Sequence, residues 1–184
     1  MMTDFPKLTY AVSLGFDALS SEKLISVQKS FSEITGNFYL MENSVPPHLT
    51  LGMFHADESE FDEIKNAFSD FASQAGSNFS VRVSGLDGFS NRVVFLRLTD
   101  VDHRLNHLNE KLHRDFLVHF ESGGNFRYLP ENWFPHVSVA VKLNRRQYEI
   151  ASSASIDIPD FLNADSLTLF QCRPYIKLIE SKLT

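Results

Sequence analysis

Pro47-His48-Leu49-Thr50-Leu51 is matched, far downstream, by Pro135-His136-Val137-Ser138-Val139. Both stretches read proline, histidine, apolar, hydroxyl, apolar. In a strand, side chains alternate between the two faces. His48 and Thr50 then share one face, with Leu49, Leu51 and Met53 on the other. His136 and Ser138 likewise share a face, opposite Val137, Val139, Val141 and Leu143. Each strand would bury its apolar side and offer an imidazole beside a hydroxyl on its free side. The leading proline lacks a backbone donor, which suits the first residue of a strand or an edge. So short a motif is weak alone; its recurrence within two plausible strands of one chain carries the information.

The flanking sequence repeats as well. Leu8, Tyr10, Val12, Leu14 and Phe16 alternate as a strand. Ser20 or Ser21 can cap a helix with Leu24, Val27, Phe31 and Ile34 on one face, ended by Gly36. A loop over residues 37–46 leads to the first motif strand, 48–54. Asp57 or Ser59 caps a second helix bearing Phe61, Ile64, Phe68, Phe71 and Ala75, closed by Gly76. A strand starting with Phe79, Val81 and Val83 then runs to a turn near Asp87-Gly88.

The order then starts again. Residues 91–98 form a strand, and Asp100 or Asp102 caps a helix with Val101, Leu105, Leu108, Leu112 and Phe116 on one face. A longer loop, 121–133, precedes the second motif strand, 136–143. Asn144 and Gln147 make a capping box for a short helix. Leu167, Leu169 and Gln171 mark a strand, and 175–179 a last one. The two histidines are 88 residues apart (136 − 48) and the first strands 84 (92 − 8). This predicts an α+β fold: one bilobal domain over 1–184, with approximate repeat units 8–87 and 92–171 related by a pseudo-twofold. Each lobe is expected to be a mainly antiparallel sheet with helices outside, the motif strands facing each other across a cleft.

Composition limits the functions open to such a fold. The chain has 184 residues, 43% hydrophobic and 22% charged, which is ordinary for a soluble globular protein. Its net charge of −6 argues against wrapping duplex nucleic acid, though not against a local positive cleft. The single cysteine, Cys172, cannot form an intramolecular disulfide, and the N-terminus has no apolar leader. No apolar stretch is long enough for a membrane span. A cytoplasmic monomer is expected.

Two facing imidazoles suit a reaction that needs one proton removed and another delivered near neutral pH. Phosphodiester hydrolysis needs these parts: a base for water, an acid for the leaving oxygen, and donors for the non-bridging oxygens. Thr50 and Ser138 can supply the donors. The paired H-x-T and H-x-S strands, each led by proline, resemble the two-histidine phosphoesterase superfamily, which includes 2′-5′ RNA ligase-like proteins and cyclic nucleotide phosphodiesterases. The resemblance covers most of the chain. It implies metal-independent hydrolysis of a cyclic phosphodiester, such as the 2′,3′-cyclic phosphate of a nucleotide or RNA end, with no cofactor. It also implies that His48 and Thr50 form one half-site and His136 and Ser138 the other, with His136 the base and His48 the acid. The second motif uses Ser where many relatives have Thr, and Pro46 stands where the first often has an aromatic residue.

Other residues carry weaker signals. Phe126, Tyr128, Trp133 and Phe134 cluster before the second motif and can stack on a base or build core; Tyr128, Trp133 and Phe134 are possible substrate contacts. Arg92, after the Gly88-Phe89 turn, is a possible substrate contact or an exposed charge. Lys142 would share the His136 face if that strand is regular. His103 and His107, four apart on a helix, read as a solvated face rather than metal ligands. His55, His113 and His119 have no evident partner, and Cys172 reads as buried and inert. The rival readings are a nucleotide- or RNA-end-binding module of this fold with little turnover, RNA 2′-5′ ligation by the reverse reaction, and a metal-dependent hydrolase.

Overall fold

The computed structural model describes residues 7–124 and 126–184; the N-terminal stretch inspected for a leader, 1–6, lies outside them. The elements run β1 (Leu8–Phe16), α1 (Ala18–Thr35), α2 (Tyr39–Glu42), β2 (Leu49–Ala56), α3 (Phe61–Ser73), β3 (Phe79–Phe89) and β4 (Val93–Thr99). They continue with α4 (Arg104–Asp115), β5 (Glu121–Ser122), β6 (His136–Ala140), α5 (Arg145–Ser153), β7 (Phe161–Cys172) and β8 (Tyr175–Lys182). The class is α+β, as expected. β5 was not expected: it adds two residues of the long loop to the edge of β2.

Helix starts follow side-chain chemistry. Asp17, not Ser20 or Ser21, caps α1, accepting from the Ser20 N–H at 2.8 Å. Ser20 is buried and its Oγ instead accepts the backbone N–H of Asn163 at 2.9 Å, tying α1 to β7. Gly36 closes α1 at φ 66°, a left-handed conformation that glycine adopts without steric cost. Asp57 and Glu60 form a reciprocal capping box before α3, and Asn144 and Gln147 another before α5. The Asp100 carboxylate accepts from the N–H groups of Leu105 and Asn106, so α4 begins after Val101, which is exposed rather than on the buried stripe. Ile34 is also exposed, because the stripe of Leu24, Val27 and Phe31 continues to Thr35.

The sheet order is β5-β2-β1-β7-β3-β4-β6, with β8 also on β7, and every pair is antiparallel. Exchanging β1 with β4, β2 with β6 and β3 with β7 turns β2-β1-β7-β3-β4-β6 into its own reverse. The last strand of each repeat thus pairs with the first strand of the other, and the two units share one sheet instead of each closing its own. Laid flat, β2 and β6 would be five strand spacings apart, about 24 Å. Their Cα atoms come within 8 Å, so the sheet curls until the motif strands meet. Helices cross over too: α1 packs on β6 and α4 on β2. The core lies beneath these helices, built from Leu24, Val27, Phe31, Phe54, Ile64, Phe68, Leu105 and Leu112, all 3% exposed or less. No described helix is long and apolar enough to cross a membrane.

Each motif strand carries one irregularity at the same place. Ser13 pairs with Thr50 but Val12 with Gly52, so Leu51 is an extra residue in β2. Phe95 pairs with Ser138 but Val94 with Ala140, so Val139 is extra in β6. A bulge shifts the alternation of faces by one residue. Leu49 and Leu51 are therefore buried as expected, but beyond the bulge Gly52, Phe54 and Ala56 turn inward while Met53 is only half-buried. In β6 the alternation breaks after Val139: Ala140 is buried, Val141 half-buried, and the strand stops, while Leu143 is buried as expected but beyond the strand.

Candidate active site

The proline of each motif places its histidine where the strand begins. His48 Nδ1 lies 2.8 Å from the Pro46 carbonyl, and His136 Nδ1 lies 3.0 Å from the Phe134 carbonyl. A carbonyl only accepts, so each Nδ1 carries the proton, leaving Nε2 as the basic nitrogen of the neutral ring. The two half-sites repeat this contact, each to the carbonyl two residues upstream.

The bulges leave strand carbonyls outside the ladder, and side chains satisfy them. Asn109 on α4 donates Nδ2–H to the Leu51 carbonyl at 2.6 Å and to the Tyr128 carbonyl at 3.0 Å. Gln28 on α1 donates Nε2–H to the Ser138 carbonyl at 3.4 Å. Trp133 donates Nε1–H to the Thr50 carbonyl at 3.0 Å. Trp133 is 8% exposed, so of the two readings open to it, possible substrate contact or core, it takes the core and braces β2. Gln28 and Asn109 were missed by the sequence reading; each is a polar residue beside the apolar stripe of its helix.

Phenyl rings hold the imidazoles. Phe170 on β7 meets His48 edge-on at 5.3 Å, and Phe89 on β3 meets His136 edge-on at 5.9 Å. The last strand of each repeat thus supplies a ring to the other repeat's histidine. Phe95 and Phe134 also flank His136, at 5.0 and 4.9 Å. Burial pushes both imidazoles below their ordinary value, against the pull of their carbonyl bonds. His136 is lowered further by the positive charges of His48 and Arg127. The half-sites are therefore electrostatically in touch.

Arg127 is the basic residue beside the site, and the sequence reading passed over it between Phe126 and Tyr128. Its guanidinium sits 4.4 Å from the Phe89 ring centroid, and Nη2–H donates to Ser90 Oγ at 3.3 Å. Arg92, read as a possible substrate contact or an exposed charge, is exposed in the β3–β4 turn, and its described contacts are backbone hydrogen bonds with Phe89 and Leu143. Tyr128 does reach the site: its phenol meets the Thr50 side chain, which opposes the rise that burial imposes on it. Its ring packs against Gly124, where φ is +78° and a Cβ would overlap the ring. Phe134 is 39% exposed beside His136. Thr50 and Ser138 are half-buried. Lys142 is drawn away: β6 has ended, its φ is 54°, and its ammonium lies 4.0 Å from the Tyr39 ring centroid.

The remaining candidates stand apart. His107 is exposed on α4, while His103 is exposed just before it at φ 56°, so the two do not share a helix face as expected, and the described residues contain no group of three metal-ligating side chains. His55 Nδ1 meets Thr9 Oγ1 at 3.1 Å. His113 is turned inward, its Nε2 buried without a described partner. Burial pushes the Cys172 thiol up to about 12.

Solved structures share this fold. LigT of E. coli complexed with 3′-AMP is 15% identical, over 98% of this chain and 99% of that one, at TM-score 0.59. TT0787 of Thermus thermophilus is 15% identical, over 96% and 98%, at 0.62. Usb1 of Kluyveromyces marxianus is 15% identical, over 96% of each, at 0.56. At such identities the likeness establishes the fold alone. No curated protein matches the chain. The model of the 2′-5′ RNA ligase superfamily matches residues 25–169, which include both motif strands. The chain belongs to that superfamily, among the two-histidine phosphoesterases that its doubled motif resembles.

Proposed function

We propose that this protein hydrolyses a cyclic phosphodiester, the 2′,3′-cyclic phosphate of a nucleotide or RNA end, using His48 and His136 as acid and base. The observation that carries this reading is the matched pair of imidazoles, each with its Nδ1 proton tied to a carbonyl. Family membership supports phosphodiester chemistry in general. Thr50 and Ser138, one residue before each bulge, are the donors for the non-bridging oxygens.

The roles follow from charge. An anionic phosphodiester between the rings favours an imidazolium, and two imidazoles that feel each other's charge share its proton. Arg127 disfavours positive charge on His136. The shared proton therefore resides on His48. His136 Nε2 takes a proton from water as the water oxygen bonds to phosphorus. The bond from phosphorus to one ribose oxygen breaks, and His48 gives that oxygen its proton. A phosphomonoester results, and no cofactor enters the balance. With a 5′-hydroxyl as nucleophile in place of water, the same groups run the same step, the 5′ oxygen bonding to phosphorus as the ribose oxygen leaves with the His48 proton, and RNA ends are joined, as the family's name suggests.

The test is a panel of nucleoside 2′,3′-cyclic monophosphates and RNA with a cyclic end, assayed with and without EDTA. Turnover unaffected by the chelator is expected. Tight binding of every panel member with no turnover would leave a binding module instead.

A further inference from the structure

Thr50 and Ser138 hold matching places in the two half-sites, one residue before each bulge, but their neighbours do not match. Directly paired residues on adjacent strands project to the same face, with Cβ atoms about 5 Å apart. Ser13 is directly opposite Thr50, whereas Phe95 is directly opposite Ser138, and both are 2% exposed. A hydroxyl therefore flanks Thr50 where a phenyl ring flanks Ser138.

The loops before the motif strands widen the difference. From the loop before β6, Tyr128 brings its phenol to the Thr50 side chain, and Trp133 holds the Thr50 carbonyl at 3.0 Å. Tyr128 is itself fixed at both ends. Its carbonyl accepts from Asn109 Nδ2–H at 3.0 Å, and its ring lies over Gly124, where a Cβ would come within 2.3 Å of it. The loop before β2 carries Tyr39 nine residues ahead of His48 (48 − 39), where Tyr128 is eight ahead of His136 (136 − 128). Tyr39 does not play the matching part: its ring takes the Lys142 ammonium at 4.0 Å, past the end of β6. The described bond from a side chain to Ser138 goes to its carbonyl, from Gln28.

The direction of the Tyr128 contact follows from the acceptors on offer. Burial keeps the phenol neutral near pH 7, so it has a proton to give. The Thr50 hydroxyl can aim its own proton at the phenol oxygen or at a phosphate. An anionic phosphate is the stronger acceptor, so Thr50 donates to it and Thr50 Oγ1 accepts from the phenol. Hydrogen bonds in such a chain polarise one another.

We infer that Tyr128 is a positioning residue: its phenol donates to Thr50 Oγ1 and fixes the Thr50 proton on one non-bridging oxygen of the phosphate. Thr50 is then the preset donor of the pair, no described contact orients the Ser138 hydroxyl, and the site treats the two non-bridging oxygens unequally. The place of the phosphate is that of the phosphodiester reading above, on which this role rests.

The experiment combines Tyr128→Phe, which keeps the ring, with Thr50→Val and with Ser138→Ala, and measures calorimetric binding of adenosine 3′-monophosphate by the intact chain. Alone, Tyr128→Phe should weaken binding about 3- to 10-fold, the usual worth of one hydrogen bond. In the Thr50→Val chain it should cost nothing further, and in the Ser138→Ala chain it should cost its full amount. A ring that only held the loop would cost the same in every background. Where the chain turns over, a second readout is kcat/KM for the two diastereomers of a nucleoside 2′,3′-cyclic phosphorothioate, which carry sulfur at one or the other non-bridging position. The preference of the unaltered chain should shrink toward equality in Tyr128→Phe and in Thr50→Val, and persist in Ser138→Ala. Equal losses in every background, binding untouched by Tyr128→Phe, a diastereomer preference that Tyr128→Phe leaves unchanged, or no binding by the unaltered chain overturns this role for Tyr128. The binding cycle requires no turnover. A chain that hydrolyses nothing yet couples Tyr128 to Thr50 defeats the hydrolase reading and leaves the positioning role standing.

Discussion

The side-chain amide of Asn109 donates to the backbone carbonyl of Leu51 at 2.6 Å, at the extra residue next to Thr50. Asn109 is 1% exposed and also holds the Tyr128 carbonyl at 3.0 Å. One side chain thus fixes both the bulge behind a candidate phosphate donor and the loop that brings Arg127 and Tyr128. Gln28 plays the matching part for Ser138 with a single, longer bond. A buried polar group left without a partner costs about 1–3 kcal/mol. Asn109→Leu strands two carbonyls and Gln28→Leu one, so Asn109→Leu should melt at the lower temperature. The reverse order in thermal melts would show that Gln28 carries more of the strain.

His48→Ala and His136→Ala should each lower kcat by about 10²–10⁴, the range for a lost general acid or base. The double variant should be little worse than either, because groups that act in one step are not additive. Thr50→Ser keeps a hydroxyl and should be nearly silent, whereas Thr50→Val should lose activity. A single histidine variant that stays folded and keeps most of its rate would break the shared-site picture.

Stability should fall in mild acid. Burial lowers His48, His113 and His136 below their ordinary 6.5, so at pH values just under 6.5 the unfolded chain binds protons that the folded chain refuses. Stability then rises with pH up to the unfolded value and falls as pH drops below it. Melting should shift downward between pH 7.5 and 5.5. His113→Gln removes one such site away from the proposed chemistry and should flatten that slope. An unchanged slope in this variant would mean that His113 is protonated as readily folded as unfolded.

Much of this architecture was legible because it rests on local rules. The period-2 and period-3.6 patterns placed most elements, and the doubled motif placed His48 and His136 at the starts of two strands that the sheet brings together. What escaped depended on contacts between the repeats. Alternation predicted Met53 inside, but the bulge at Leu51 reversed the faces beyond it, and no local residue signals that bulge. By sequence Trp133 could stack on a base or build core, and what decides is its indole N–H on the Thr50 carbonyl, 83 positions away in sequence. Arg127 reaches His136 only because its loop folds over Phe89, whereas Arg92 is nearer in sequence to Phe89 and points to no described site partner. The interleaving of β3 and β7 is likewise a tertiary choice, since either repeat has strands enough for a sheet of its own.

The two histidines should be separable by the atom that leaves. In the proposed step His48 protonates the departing ribose oxygen and His136 deprotonates water. Replacing the bridging oxygen with sulfur makes a leaving thiolate that is stable without a proton. The thio-substrate should therefore restore much of the activity of His48→Ala and little of that of His136→Ala, where water still lacks its base. The pH profile of kcat/KM should be bell-shaped, its acid limb set by His136, which must be neutral, and its alkaline limb by His48, which must be charged. Arg127 lowers His136, so Arg127→Gln removes that influence and should move the acid limb to higher pH. An acid limb that stays in place, or moves to lower pH, would take Arg127 out of the tuning of the base. Thio-rescue of His136→Ala instead of His48→Ala would exchange the two roles, and rescue of neither would mean that proton delivery to the leaving group does not limit the rate.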